Sequence, residues 1–412
     1  MTAQAKPPAK TPIEHVVIII QENHTYDNYF GRYPKGDGDP TLPHADNPPR
    51  YTMPFSPTHG HWSWKYREWM GAREQYCGLD LPLYYEYAKG GVLHDRFFTD
   101  VAGPSIPNHM FAFAASSGDL LNNPRPAIIR WITRDRTVMP PFNVPTLPEN
   151  LEKAGLTWVN FGDTAPYNFT GTRASKNNVA SELFSGTAEA GRLPTVSWLV
   201  APNMSLNEHP PSNLFAGQDW LGTQVDAVVK GGLWEKTAII IFWDDWGGYF
   251  DHVTPPLIEK WSVDKSSHYR LGSRVPCLTI GGYARPDYVS SVPVSQSSIV
   301  KWIEDIFGLP YLNQRDRTAN SFADAFDFQQ APNPAPPAHG AILAAAAPVA
   351  LKHVAEIRAQ HRYRRPQVAA LRGSGQERTP SRPSLLDQNG RPISTGASAE
   401  RTAPGTGSGL GL

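Results

Sequence analysis

Two apolar runs of this 412-residue chain end on oxygen ligands. HVVIII (15–20) is followed closely by Glu22 and Asn23, and TAIIIFW (237–243) leads directly into Asp244 and Asp245, then WGGYFDH. Three carboxylates and an amide oxygen at two strand ends make an oxygen-rich set suited to one divalent cation. Carboxylates gathered at one sheet edge repel each other unless positive charge sits among them, and a cation resolves that conflict. Taken singly, each pair also fits an ordinary solvated turn or helix cap.

Two further stretches could act on a substrate held there. In DRFFTDVAGPSIPNHMF (95–111), Ser105 lies just before an expected helix whose first turn holds Ile106 or Pro107. Its hydroxyl is either an N-cap satisfying a free amide or, beside a cation, a nucleophile whose developing charge the helix dipole favours. In NEHPPSNLFAGQDW (207–220), His209 precedes two prolines that stiffen its loop, as a general acid or phosphate ligand requires. His61 is a candidate substrate contact, whereas His59, His94 and His252 read as ordinary histidines.

The elements that must position these groups are strands and helices in alternation. LTWVNF (156–161), PTVSWLVA (194–201) and VPCLTIGG (275–282) join the two runs above as strands, mostly continuous apolar segments of the kind covered on both faces in a parallel sheet. Helices are expected over 217–232, which stops at paired glycines, and over 295–308, which opens with serines and ends at a glycine. The implied fold is an α/β three-layer α/β/α sandwich with a mostly parallel central sheet, whose ligands bind beyond the carboxyl ends of the strands. A catalytic domain over 13–329 follows a flexible start (1–12). It carries a loop and aromatic insertion at about 34–90, and aromatics crowd residues 61–87. From 330 to 412 the Ala, Pro and Gly content predicts a tail outside the core, with one Ala-rich helix near 341–361 and disorder beyond it.

Composition narrows the partners. Lys and Arg number 38, as do Asp and Glu, so no basic surplus exists to neutralise a nucleic-acid backbone. No run approaches the roughly 20 apolar residues that span a bilayer, and no export signal is visible. As written the chain reads as cytoplasmic, and an exported protein with its leader trimmed would look the same. Cys77 and Cys277 allow at most one disulfide and read as reduced thiols.

These motifs together resemble the bacterial and plant phosphoesterase family that contains non-haemolytic phospholipase C and a group of acid phosphatases. QENHTYDNYFG resembles its ENRSFDHYFG signature, and DRFFTDVAGPSIPNHMF its DRFFxSVPxSTQPNRLY segment. NEHPP is similar to DDHPP, and FWDDWGGYFDHVTPP to YDEHGGFYDHVxPP. GSRVPCLTIGGYA and SSIVKWIEDIFGLPYL match two later motifs, so six occur in order between residues 13 and about 312. The resemblance implies an alkaline-phosphatase-like fold. It also implies one divalent metal ion (Ca, Mg, Mn or Zn) on Glu22, Asn23, Asp244 and Asp245, a nucleophilic Ser105, and His209 at the phosphoryl group or leaving oxygen. Asn108 would donate to phosphoryl oxygens or serve the structure. Asp245 replaces a more frequent Glu, Trp246 and His109 replace His and Arg, and His24 stands where Arg is usual; substrate identity is where the analogy weakens.

The expected activity is metal-dependent phosphoester hydrolysis through a phosphoserine, foremost phospholipase C cleavage of a glycerophospholipid to diacylglycerol and a phosphorylated head group. Acid-phosphatase-type monoester hydrolysis is the alternative, and a non-catalytic phosphate-ester binding protein the third reading. The expected partner is a phospholipid or small phosphate ester, with transient contact to a membrane surface compatible with either compartment.

Overall fold

A computed structural model of the chain describes residues 11–45, 56–125, 130–132, 139–258 and 270–347. Eight strands form one sheet in the order β5-β4-β6-β1-β7-β8-β2-β9. They are β1 (His15–Gln21), β2 (Val92–His94), β4 (Trp158–Phe161), β5 (Asn178–Val179), β6 (Val196–Val200), β7 (Thr237–Trp243), β8 (Cys277–Gly281) and β9 (Tyr288–Ser290). A small separate pair joins β3 (Phe97–Phe98) to β10 (Val294–Ser295). All five expected strands are present. Pairing is parallel except around β8, which runs antiparallel to both β7 and β2.

Every residue of β7 and all but the first of β1 are buried. Burying an aliphatic side chain contributes about 1.5–3 kcal/mol, so these two central strands make a stiff platform for whatever follows them. Helices cover the sheet in two groups. The principal helix packings join α5 (Ser105–Ala114) to α6 (Leu147–Lys153) and α9 (Gln296–Phe307), and α9 to α10 (Gln314–Thr318). The others join α8 (Leu214–Lys230) to α7 (Leu183–Glu189) and α4 (Pro82–Gly90). Phe113 of α5 stacks on Trp198 of β6 with ring centroids 4.3 Å apart, fixing α5 against the sheet.

Helix α8 begins three residues earlier than the sequence spacing predicts, because Asn213 caps it by accepting from the amides of Phe215 and Ala216. Helix α9 matches its expected span, with Ser295 in a capping box and Gly308 closing it at φ 67°. The early part of the expected tail packs on the body. Trp234 donates to the Asn333 carbonyl, His339 meets Asp226 at 2.8 Å, and Leu343 is buried. Residues 339–347 are helical, whereas the rest of the expected tail helix, the disordered tail and residues 1–10 of the flexible start lie outside the described residues. Among the described residues, no helix is long and apolar enough to cross a membrane.

Candidate active site

The parallel register of β1 and β7 pairs Gln21 with Trp243, so the next residues, Glu22 and Asp244, leave the sheet side by side. The two strand ends are then tied together. The Asp244 amide donates to the Gln21 carbonyl at 3.0 Å, and the Asn23 amide donates to Asp244 Oδ1 at 3.0 Å. Asn23 takes a left-handed φ of 66°, which Asn tolerates better than most residues. Opposite it, Gly247 also has positive φ (57°), and a Cβ there would stand 1.9 Å from the Asn23 carbonyl oxygen; only glycine fits.

Ser105 is the first residue of α5, and Pro104, not Ser105, occupies the N-cap. The serine hydroxyl therefore makes no cap. It points between carboxylates, 3.3 Å from Glu22 Oε2 and 3.1 Å from Asp245 Oδ2. The structure thus brings Glu22, Asn23, Ser105, Asp244 and Asp245 to one place.

His109, one turn along α5, enters the same cluster. Its Nε2 lies 3.7 Å from Glu22 Oε1 and 3.5 Å from Asp244 Oδ2, too far for good hydrogen bonds, while Nδ1 is 3.1 Å from Asp163. Glu22, His109 and Asp244 could share one ion. Three buried polar atoms here, Asn23 Oδ1, Asp244 Oδ2 and His109 Nε2, have no hydrogen-bond partner. Buried polar atoms are rarely left so, and two of these, Asp244 Oδ2 and His109 Nε2, converge 3.5 Å apart beside Glu22, which fits a cation.

The electrostatics agree with that fit. Burial first, then the neighbouring Asp244 charge, pushes the Glu22 and Asp245 carboxyls well above their ordinary range. Burial also pushes Asp244 upward, but His109, the Ser105 hydroxyl and the Asn23 amide more than offset it and leave it below that range. His109 is raised despite its burial, through Asp163 and Asp244.

His209 is half-buried with Nδ1 2.6 Å from the Pro210 carbonyl, which leaves Nε2 as its working nitrogen. Its ring centroid is 5.7 Å from that of His59, whose Nε2 is 3.1 Å from Asn23 Nδ2, so His209 borders the cluster through His59. His61 Nδ1 meets the Ala102 carbonyl at 2.6 Å, in the loop leading to Ser105. Asn108 is turned into that same loop. Its amide nitrogen donates to the carbonyls of Val101, Gly103 and Pro104 and its oxygen accepts from the Val101 amide, so it shapes the approach to Ser105 and its hydrogens are not aimed at the cleft. His94 and His252 are engaged elsewhere, with Thr279 and Asp27.

Glu208, beside His209, carries more than its sequence context suggests. It is wholly buried at φ 69°, and its carboxylate accepts from Tyr29 (2.8 Å), Tyr84 (2.5 Å) and Trp243 Nε1 (3.2 Å). The 207–208 backbone reaches the first motif as well, since the Asn207 carbonyl accepts from the Glu22 amide and the Glu208 carbonyl meets His24. Burial raises the Glu208 pKa from 4.5 to about 7. A group whose folded pKa is raised contributes stability that is full below its unfolded pKa and lost as pH rises through the folded one. At about 1.4 kcal/mol per pH unit, stability should fall by about 3 kcal/mol between pH 4.5 and 7 on this account. Urea unfolding of Glu208→Gln should show that slope flattened; an unchanged slope would remove Glu208 as its source. Glu208→Ala, which leaves three buried donors without an acceptor, should cost about 2–4 kcal/mol.

The profile of the Phosphoesterase family matches residues 13–48 and 55–310. The chain belongs to that family and is a hydrolase of phosphoric esters. Phospholipase C A of Mycobacterium tuberculosis is 26% identical over 414 residues, covering 78% of this chain and 79% of the relative. The non-hemolytic phospholipase C of Pseudomonas aeruginosa is 25% identical, covering 77% and 57%. Non-specific phospholipase C5 of Arabidopsis thaliana is 27% identical over 271 residues, covering 59% and 50%. Among solved structures, murine ectonucleotide pyrophosphatase / phosphodiesterase 5 is similar at a TM-score of 0.45 and 10% identity, covering 76% of this chain and all of that one.

Proposed function

We propose that this protein is a phospholipase C type phosphodiesterase that works through a phosphoserine on Ser105. The observation that carries the proposal is the Ser105 hydroxyl held between Glu22 and Asp245 at the helix start, beside the orphaned oxygens of Asn23 and Asp244. Glu22, Asn23, Asp244 and Asp245 would hold one divalent ion, with His109 close enough to join them. Bound there, such an ion supplies charge neutralisation at the phosphoryl oxygens and lowers the pKa of the serine hydroxyl.

The chain's own groups do the rest. Glu22 and Asp245 aim the Ser105 oxygen, and either accepts its proton. The positive end of α5 favours negative charge developing on the transferring phosphoryl group. His209 Nε2 protonates the departing alcohol oxygen and then takes a proton from the water that hydrolyses the phosphoserine. His59 and the side-chain nitrogen of Asn23 line the same edge as hydrogen-bonding groups.

A lipid substrate, as against a soluble monoester, is favoured by the surface beside the site. Helices α2 (His61–Lys65) and α3 (Arg67–Met70) send Trp64 inward against Ala102 and Trp246, neighbours of Ser105 and Asp245. Outward they display Trp62 (64% exposed), Trp69 (89% exposed), Tyr66 and Met70, with Lys65 and Arg67 in the same short segment. Trp and Tyr with basic neighbours suit the interface of a bilayer.

The test assays phosphatidylcholine vesicles beside an aryl phosphate monoester, each with and without chelator. Diacylglycerol release that chelation stops is the expected result; hydrolysis of the monoester alone would replace the proposal with the acid-phosphatase reading. Replacing Trp62 and Trp69 by Ala should lower the vesicle rate about tenfold, through loss of buried interfacial area, and leave a soluble short-chain ester unaffected.

A further inference from the structure

A second cluster of ligand-type side chains lies in other segments of the chain. His44 follows α1 (Tyr26–Phe30) at some distance along the chain, and Cys77 and Asp80 stand in the turn before α4. His44 Nε2 is 2.6 Å from Asp80 Oδ2, and the same oxygen accepts from the Cys77 amide at 3.0 Å. One ligand atom each from His44, Cys77 and Asp80 lie within 4.8 Å of one another. Asp80 is buried, and His44 and Cys77 are half-buried, which leaves one side of the cluster open to water.

The orientation of the imidazole separates two readings. A nucleophilic Cys–His–Asp relay places the thiol on one ring nitrogen and the carboxylate on the other. Here the carboxylate sits at Nε2, while Nδ1 is spent on the Ala45 carbonyl at 2.7 Å. A ring whose far nitrogen is anchored on a backbone carbonyl, with its near nitrogen facing a carboxylate and a thiol, has the arrangement of a metal ligand with its supporting hydrogen bond. Sulfur, nitrogen and oxygen donors together suit a borderline cation such as zinc and do not suit calcium or magnesium.

We propose that His44, Cys77 and Asp80 bind a zinc ion, with water as the fourth ligand, at a site separate from the Ser105 cluster. The ion would fasten segment 31–45 to segment 72–81, which already meet through the Ala45 amide and the Gln75 carbonyl at 2.8 Å and through the His44 and Gln75 bridge. Binding releases the thiol proton of Cys77 and any proton on His44 Nε2 to solvent. The proposal does not depend on the catalytic reading, and its test uses no activity measurement.

The full chain, stripped with a chelator, is titrated with Co2+ as a spectroscopic stand-in and then with Zn2+. The expected result is a sulfur-to-cobalt charge-transfer band that saturates at one equivalent and is displaced by Zn2+. The band should vanish in Cys77→Ser, require at least about 100-fold more metal in His44→Ala, since losing a direct ligand costs at least what losing an outer-shell partner does, and persist in Asp244→Asn. In the wild type, Zn2+ should also protect Cys77 from a thiol-alkylating reagent, a readout that needs no variant to fold. Cobalt binding without a thiolate band, a band that survives Cys77→Ser, or alkylation of Cys77 unaffected by Zn2+ would each overturn the site.

Discussion

Ser105→Ala should lower kcat/KM by about 10^4-fold or more on any ester the enzyme cleaves, a loss of roughly 5 kcal/mol of transition-state stabilisation. The fold should survive. The side chain is only half-buried, Pro104 and not Ser105 holds the cap position, and the substitution removes one hydroxyl that donates to two carboxylates. A stability change within about 1 kcal/mol is therefore expected. Acid-quenched wild-type enzyme should carry phosphate on Ser105, visible by mass spectrometry, and the variant should carry none. Two in-line displacements also require retained configuration at a chiral phosphorus. Inversion, or a variant that keeps a tenth of the wild-type rate, would mean that water attacks directly and that Ser105 only lines the site.

The strands that build this site were plain in the sequence because both faces of each are covered. HVVIII and TAIIIFW are continuous apolar runs, and a run of that kind followed abruptly by Glu22 or Asp244 marks where backbone leaves a buried sheet. What no run could reveal is that β1 and β7 are neighbours in register, which sets Glu22 beside Asp244 across 222 positions of chain. His109 and Asp163 escaped for the same reason. Asp163 follows the end of β4, a strand that was recognised, but nothing local says that its loop reaches the face of α5. Ser105 is ambiguous in the sequence because a serine just before a helix can cap it or face a cation, and only the cap geometry, with Pro104 in the cap position, decides between an amide and a carboxylate as its partner. The aromatics of 61–87 divided similarly: Trp64 is buried and Trp62 exposed, and helices of five and four residues are too short for periodicity to separate them.

Asp244→Asn should cost the metal-free protein little and the metal-loaded protein much, which makes it the sharpest probe of the carboxylate cluster. Without an ion, three carboxyl groups share the two strand ends, Asp244 and Asp245 buried and Glu22 half-buried. Burial and then Asp244 push Glu22 and Asp245 upward, so protons compete with an ion for these oxygens. Removing the Asp244 charge relieves that repulsion, while the Asn oxygen can still accept from the Asn23 amide. Against that gain, the variant loses the His109 and Ser105 interactions that hold Asp244 below its ordinary range, so metal-free it should unfold within about 1 kcal/mol of metal-free wild type, on the lower side. Adding ion at 100 times its dissociation constant should stabilise the wild type by about 2.7 kcal/mol and the variant hardly at all. Because the ion displaces protons from raised carboxyls, its affinity for the wild type should rise with pH, and this dependence should weaken in the variant. Phosphoesterase activity should fall in parallel with occupancy. If calorimetry instead gave equal ion affinity in both proteins, Asp244 would not be a ligand; and if the metal-free variant melted well below the wild type, the carboxylate would be serving the fold through His109 and Asn23, with the cation held elsewhere.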